Sequence, residues 1–360
     1  MAELIDLDLP GPDLTALICD IPSVSGDETA LANAVESALR SYPHLHVDRN
    51  ADAVIARTRL GRSERVIVAG HLDTVPIARN LPTRWDGDVL WGRGTVDMKG
   101  GVAVGLRLAA HVNRPTRDVT YVFYDHEEVE AARSGLARIV RDNPEWLAGD
   151  FAVLMEPTAG QVEGGCNGTM RAEVTVRGRA AHSARPWMGS NAIHAAGDVL
   201  DRLRSYEPAE VDVDGLVYRE GLNAVDIRGG IAGNIIPDVC VVTINYRFAP
   251  SRGEDEAETL VRDLFNGYEV TMVDSAPGAL PGLGHPAAAA FVAAVGAQPR
   301  PKLGWTDVSR FSALGVPAVN YGPGDPNLAH ADDERVHVVE IEQCERRMRD
   351  WLAAAELGPG

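Results

Sequence analysis

Residues 119–129, VTYVFYDHEEV, leave an alternating apolar strand for Asp125, His126 and two adjacent glutamates, Glu127 and Glu128. Neighbouring carboxylates repel, so the pair needs bulk water or a positive partner. Other residues of similar chemistry stand in comparable places. GHLDTVP (70–76) supplies His71 and Asp73, which in extended backbone project to one side. An imidazole with a carboxylate behind it has the form of a metal ligand and the group that orients it. WGRGTVDMKGG (91–101) sets Asp97 at the mouth of a helix, where it is either an N-cap or a ligand. MEP (155–157) adds Glu156 just past a strand, and NLAHADDERV (327–336) adds His330 in a loop.

Two histidines and three or four carboxylates, with no cysteine among them, suit zinc, and also cobalt or manganese. Two cations sharing a bridging carboxylate would need this inventory: a histidine and a carboxylate for each, the bridge, and a water. One of the adjacent glutamates would then bind metal while the other takes a proton from that water.

The elements that must position these groups alternate. VIVAG (66–70), VTYVFYD (119–125) and FAVLMEP (151–157) read as strands; helices are predicted over about 12–42, from Asp97 and from Ala131. The order implies an α/β domain with a mostly parallel sheet flanked by helices. His71, Asp97, Glu128 and Glu156 are then expected at or just after the C-terminal ends of strands, the edge where open α/β sheets hold ligands. From about 169 the pattern becomes strand-rich: MRAEVTVRG, a helix over about 191–204, a strand pair within 223–250, a helix over 255–265 and a strand over 268–274. This α+β unit, 169–282, reads as an insertion between two parts of the first domain, 1–168 and 283–360.

Length supports two domains, since 360 residues exceed what one core usually serves. A net charge of -18 argues against nucleic acid or an anionic membrane as partner. The opening MAELIDLDLP has no basic or apolar leader region, and no apolar run approaches the roughly 20 residues of a membrane span, so a cytoplasmic protein is expected. Cys19, Cys166, Cys240 and Cys344 are far apart and read as buried small hydrophobes rather than a disulfide or thiolate site. The G-x-G in WGRGT lacks the third glycine of a dinucleotide loop, which disfavours a nicotinamide oxidoreductase.

GHLDTVP, GRGTVDMKGG, DHEEV, MEPT and AHADDERV resemble, in order and spacing, the dinuclear zinc amidohydrolases of the aminoacylase and carboxypeptidase type, over almost the whole chain. The resemblance implies that His71 and Glu156 hold one zinc, Glu128 and His330 the other, and that Asp97 bridges them. It implies that Asp73 orients His71 and that Glu127 is the general acid/base. His126, before the glutamate pair, departs from the common pattern. The inserted unit is similar to that family's lid and dimerisation domain. His182 would then reach the partner's active site in a homodimer and donate to the tetrahedral oxyanion. GGIAGNIIPD and NYRF resemble substrate-contacting segments through Asn234 and Arg247, an arginine suited to a substrate carboxylate.

Within the family the chain is most similar to the members that remove a succinyl group from a diamino dicarboxylate, through NLPTRWDGDVLWGRGTVDMKGG, EGLNAVDIRGGIAGNIIPD and GWTDVSRFSALGVPAVNYGPGDPNLAH. That likeness implies a small-molecule substrate lined by Thr306, Asp307, Gly322 and Gly324. Other acyl amides or dipeptides, and metal-dependent binding without turnover, are the alternatives.

Overall fold

The structure, a computed structural model, describes residues 5–353. The first four residues of the opening stretch read above lie outside them. The chain divides into two compact units: 1–164 with 281–300 and 310–360, and 165–280 with 301–309. The expected insertion ran over 169–282. The short return of 301–309 to the inner unit has a local cause, since Asn167 donates through its backbone to Lys302 O and through its side chain to Leu303 O.

Eight strands form the sheet that carries the site. Their spatial order is His46–Asn50, Ala53–Arg57, Asp118–Tyr124, Arg65–His71, Phe151–Leu154, Ala318–Asn320, Val162–Gly164 and Pro299–Pro301. The four central strands run parallel, and the neighbouring pairs with Ala53–Arg57 and Val162–Gly164 are antiparallel. Every residue of Asp118–Tyr124 is buried, as expected of a strand covered on both faces.

The Lys99–His111 helix packs on Arg65–His71 and against the helices Gly11–Cys19 and Val338–Ala353. Glycine permits the close fit: a Cβ at Gly101 would stand 2.1 Å from Met155 O. The start of this helix is thereby pressed against the backbone that leads into Glu156.

Three expectations need correction. The single helix over 12–42 is two, Gly11–Cys19 and Thr29–Arg40. The link between them contains Pro22 and Gly26, the latter at φ +100, a conformation that strains residues with a Cβ. The helix from Ala131 is a short 3-10 turn, Ala131–Arg133, followed by Gly135–Asp142 with Ser134 as its cap. Asp97 does not follow a strand of the main sheet. It lies beyond Val89–Trp91, which belongs to a separate three-stranded sheet with Arg84–Asp86 and Arg335–His337. Nor is Asp97 an N-cap, because the helix starts at Lys99 behind Met98 without a side-chain cap bond.

In the second unit, Gly221–Gly229, Val239–Phe248, Gly168–Arg177 and Glu269–Ala276 form an antiparallel sheet in that order. Burial alternates along Gly168–Arg177, and its inward residues share a core with the helices Ala192–Arg204 and Glu254–Leu264. All four cysteines are free and buried, and burial pushes the Cys19 thiol up to about 12. Among the described residues no helix is long and apolar enough to cross a membrane.

Candidate metal centre

His71 closes the Arg65–His71 strand, while Glu127 and Glu128 sit on the turn after Asp118–Tyr124. Glu156 follows Phe151–Leu154. Asp97 and His330 come from loops outside the sheet. These residues converge within the first unit. Oδ1 of Asp97 lies 3.2 Å from His71 Nε2, and its Oδ2 lies 3.3 Å from His330 Nε2. His330 Nε2 is also 2.9 Å from Glu128 Oε1. Three overlapping groups, His71 with Asp97 and Glu156, His71 with Glu127 and Glu128, and Asp97 with Glu128 and His330, have potential ligand atoms within 4.8 Å of one another. A set of imidazole nitrogens and carboxylate oxygens fits borderline divalent cations.

Asp73 organises one side of this cluster. Its Oδ1 and Oδ2 accept the backbone N–H groups of Glu127 and Glu128, each at 3.0 Å, and Oδ2 also accepts from Ser25 Oγ at 2.6 Å. His71 Nδ1 lies 3.0 Å from Asp73 O and 3.5 Å from its Oδ1, which leaves Nε2 directed at Asp97. Behind the glutamates, His126 stands at φ +58 with Nδ1 2.8 Å from Asp125 Oδ2, and Asp125 is paired with Arg138.

Electrostatics follow from this crowding. Burial opposes protonation of His71, but hydrogen bonds with Asp73 and Asp97 carry its pKa well above the usual value. Hydrogen bonds to Asp97 and Glu128 raise His330 to about 10. Burial would raise Asp73, yet bonding to His71, Ser25 and the Glu127 amide holds it near 2. Burial acts the same way on Asp97, and bonding to His330 and His71 outweighs it, so that carboxylate also lies below its usual range. The carboxylates therefore ask for positive charge, and a cation binding here must displace protons from the imidazoles.

Residues 67–354 match the model of peptidase family M20/M25/M40. The chain belongs to this family. Among its relatives, a putative succinyl-diaminopimelate desuccinylase of Mycobacterium tuberculosis is 56% identical over 96% of this chain and 99% of its own. A succinyl-diaminopimelate desuccinylase of Corynebacterium glutamicum is 46% identical over 96% and 98%. A tripeptidase structure from Staphylococcus aureus superposes with a TM-score of 0.79 at 19% identity, covering 97% of this chain and 98% of that one, which supports the fold. The chain is accordingly a metal-dependent amidohydrolase of the M20/M25/M40 type.

The other residues singled out in this M20/M25/M40 member are not among these three groups. His182 is exposed in the second unit, on a two-residue strand paired with Ile235–Ile236; its neighbour Ser183 donates to Asn234 O at 2.9 Å. Arg247 is half-buried on Val239–Phe248, with Nε donating to Asn245 Oδ1 at 3.0 Å. Thr306 and Asp307 are buried, and the Cys166 thiol donates to Thr306 O at 3.6 Å. Gly322 lies in the first unit, where an added Cβ would stand 2.4 Å from Met155 O and 2.5 Å from Glu156 O. Its small size lets this loop pack on the backbone that carries Glu156. Gly324 follows at φ +88, packed on Val96.

Sequence reasoning passed over Ser25, Arg93 and Glu334. The last two fall inside quoted motifs, GRGTVD and DDERV, and an arginine and a glutamate that are both buried are the signal only a structure supplies.

Proposed function

We propose that this protein hydrolyses N-succinyl-LL-2,6-diaminopimelate to succinate and LL-2,6-diaminopimelate, a step in lysine and diaminopimelate biosynthesis, with two zinc ions that cobalt can replace. The names and identities of the two desuccinylase relatives support the substrate. The placement of one Asp97 oxygen on each histidine supports a two-cation centre. In this reading His71 and Glu156 would hold one ion, Glu128 and His330 would hold the other, and Asp97 would serve both. Such ions would acidify a shared water and polarise the amide carbonyl.

The remaining steps belong to the chain. Glu127, its backbone fixed by Asp73, accepts the water proton on its carboxylate and returns it to the departing amine nitrogen. His182 of a second copy donates to the oxyanion. Its Nδ1 accepts from the Ala184 amide at 3.1 Å, which leaves Nε2–H as the donor. Asn234, Arg247, Thr306, Asp307, Gly322 and Gly324 form the proposed substrate set; Arg247 would pair with a carboxylate, and Thr306 and Asp307 enter from the resemblance alone.

The homodimer would form through 169–282. The edge strand Gly221–Gly229 is exposed, with Val225 at 57% and Ile227 at 48%, and an uncovered edge is a template for another chain. A cytoplasmic location fits a biosynthetic enzyme of this kind.

The test is hydrolysis of N-succinyl-LL-diaminopimelate beside N-acetylornithine and a dipeptide, with and without a chelator. Chelator-sensitive cleavage of the succinyl compound alone is expected. Cleavage of another substrate moves the chain to a sister activity, and no cleavage with metal bound leaves a binding role.

A further inference from the structure

His330 stands at φ +64, in the left-handed region that strains a residue with a Cβ. Such a conformation persists where the surroundings over-determine it. The anchor lies four residues on. Glu334 is fully buried; its Oε1 accepts the backbone N–H of Val96 at 2.9 Å and of Asp97 at 3.1 Å, and its Oε2 meets Arg93 Nη1 at 2.8 Å. Its own carbonyl accepts from the Gly92 amide at 3.0 Å.

Arg93 carries the connection further. Nη1 also donates to Ala331 O at 3.2 Å, next to His330, and Nε donates to Pro76 O at 3.2 Å, on the segment that leaves Asp73. A planar guanidinium carries donors on separate nitrogens in a fixed fork, so Nη1 and Nε reach acceptors on different segments at once. These bonds join the loops of Asp97 and His330 to the segment after His71. By contrast, His71 sits on a sheet strand, and the backbone of Glu156 is backed by Gly322.

We infer that Arg93 and Glu334 are a positioning pair that sets the His330 half of the centre against Asp97, so that one cation site depends on the pair far more than the other. This rests on the two-cation reading above. Neither side chain is assigned a ligand role; both act through the backbone that presents the ligands.

The experiment strips the full-length chain, Glu334→Gln and Arg93→Lys with a chelator and titrates each with cobalt(II), following absorption and bound metal, with thermal unfolding of the stripped forms alongside. The wild-type chain should take two ions. Each variant should unfold cooperatively, hold one ion within about threefold of wild type, and bind the other roughly 10-fold to 100-fold more weakly. Glu334→Gln leaves Arg93 buried without its counter-charge and is the more disruptive change; if it does not fold, Arg93→Lys, which keeps the charge, decides. Two ions bound as in wild type, or both weakened alike, would overturn the inference. A wild-type chain that binds fewer than two ions would instead overturn the reading beneath it.

Discussion

Asp73 Oδ1 accepts the backbone N–H of Glu127 at 3.0 Å, so the carboxylate behind His71 also sets the height of the proposed proton acceptor. In the proposed mechanism one side chain thus supports both a ligand and a base. Asp73→Asn keeps the shape but offers a single acceptor oxygen to the amides of Glu127 and Glu128. We expect metal affinity and kcat each to fall roughly 10-fold to 100-fold, with far-ultraviolet circular dichroism unchanged.

Glu127→Gln separates the two members of the acidic pair. It should retain both ions by elemental analysis while kcat falls by roughly 100-fold to 10,000-fold. Loss of metal from this variant would reverse the roles given to Glu127 and Glu128.

The proposed contribution of His182 from a second copy can be tested by mixing. His182→Ala should lose turnover and keep its metal, and so should Glu127→Gln. Co-refolding the two in equal amounts should restore about a quarter of wild-type activity, because mixed dimers carry one complete site of two when His182 acts across a symmetric interface. If His182 served its own chain, mixing would restore nothing.

How much of this was legible depended on the range of the forces involved. The strands around His71, Glu127 and Glu156 announce themselves by apolar runs that need only local backbone regularity. The five ordered motifs supplied residues that fall into three overlapping groups with potential ligand atoms within 4.8 Å of one another. Asp97 was misplaced on the main sheet because its support, Glu334, lies 237 residues away and acts through backbone amides that no spacing rule reports. The break after Cys19 was missed for the opposite reason: helical periodicity on both sides masked Pro22 and Gly26.

Gly101→Ala tests the packing that presents Glu156. The new methyl would collide with Met155 O, 2.1 Å away, and backbone cannot step aside as a side chain can. A loss of about 1–3 kcal/mol in urea unfolding of the metal-free chain is expected, together with weaker metal binding.

Acid stability should report on Asp118, buried beneath the 58–62 loop. Burial raises its pKa, but the Leu60 and Arg62 amides and the Thr58 hydroxyl outweigh this and hold it below the usual range. Its stabilisation is therefore present above the unfolded value near pH 4 and lost as pH falls through the lower folded one. Asp118→Asn should cost about 1–3 kcal/mol at neutral pH. The gap from wild type should close on acidification, as read from urea midpoints against pH.

The tie between Glu334 and Asp97 spans most of the polypeptide. During synthesis, a chain that has displayed His71, Asp97, Glu127, Glu128 and Glu156 still lacks His330 and the carboxylate that secures the Asp97 loop. If the proposed centre forms as described, a nascent chain would therefore offer scattered acidic side chains to passing cations but not a finished pair of sites. On the two-cation proposal, capture of metal would be a late event, and a product truncated before His330 would be denied the full centre by the order in which its residues emerge.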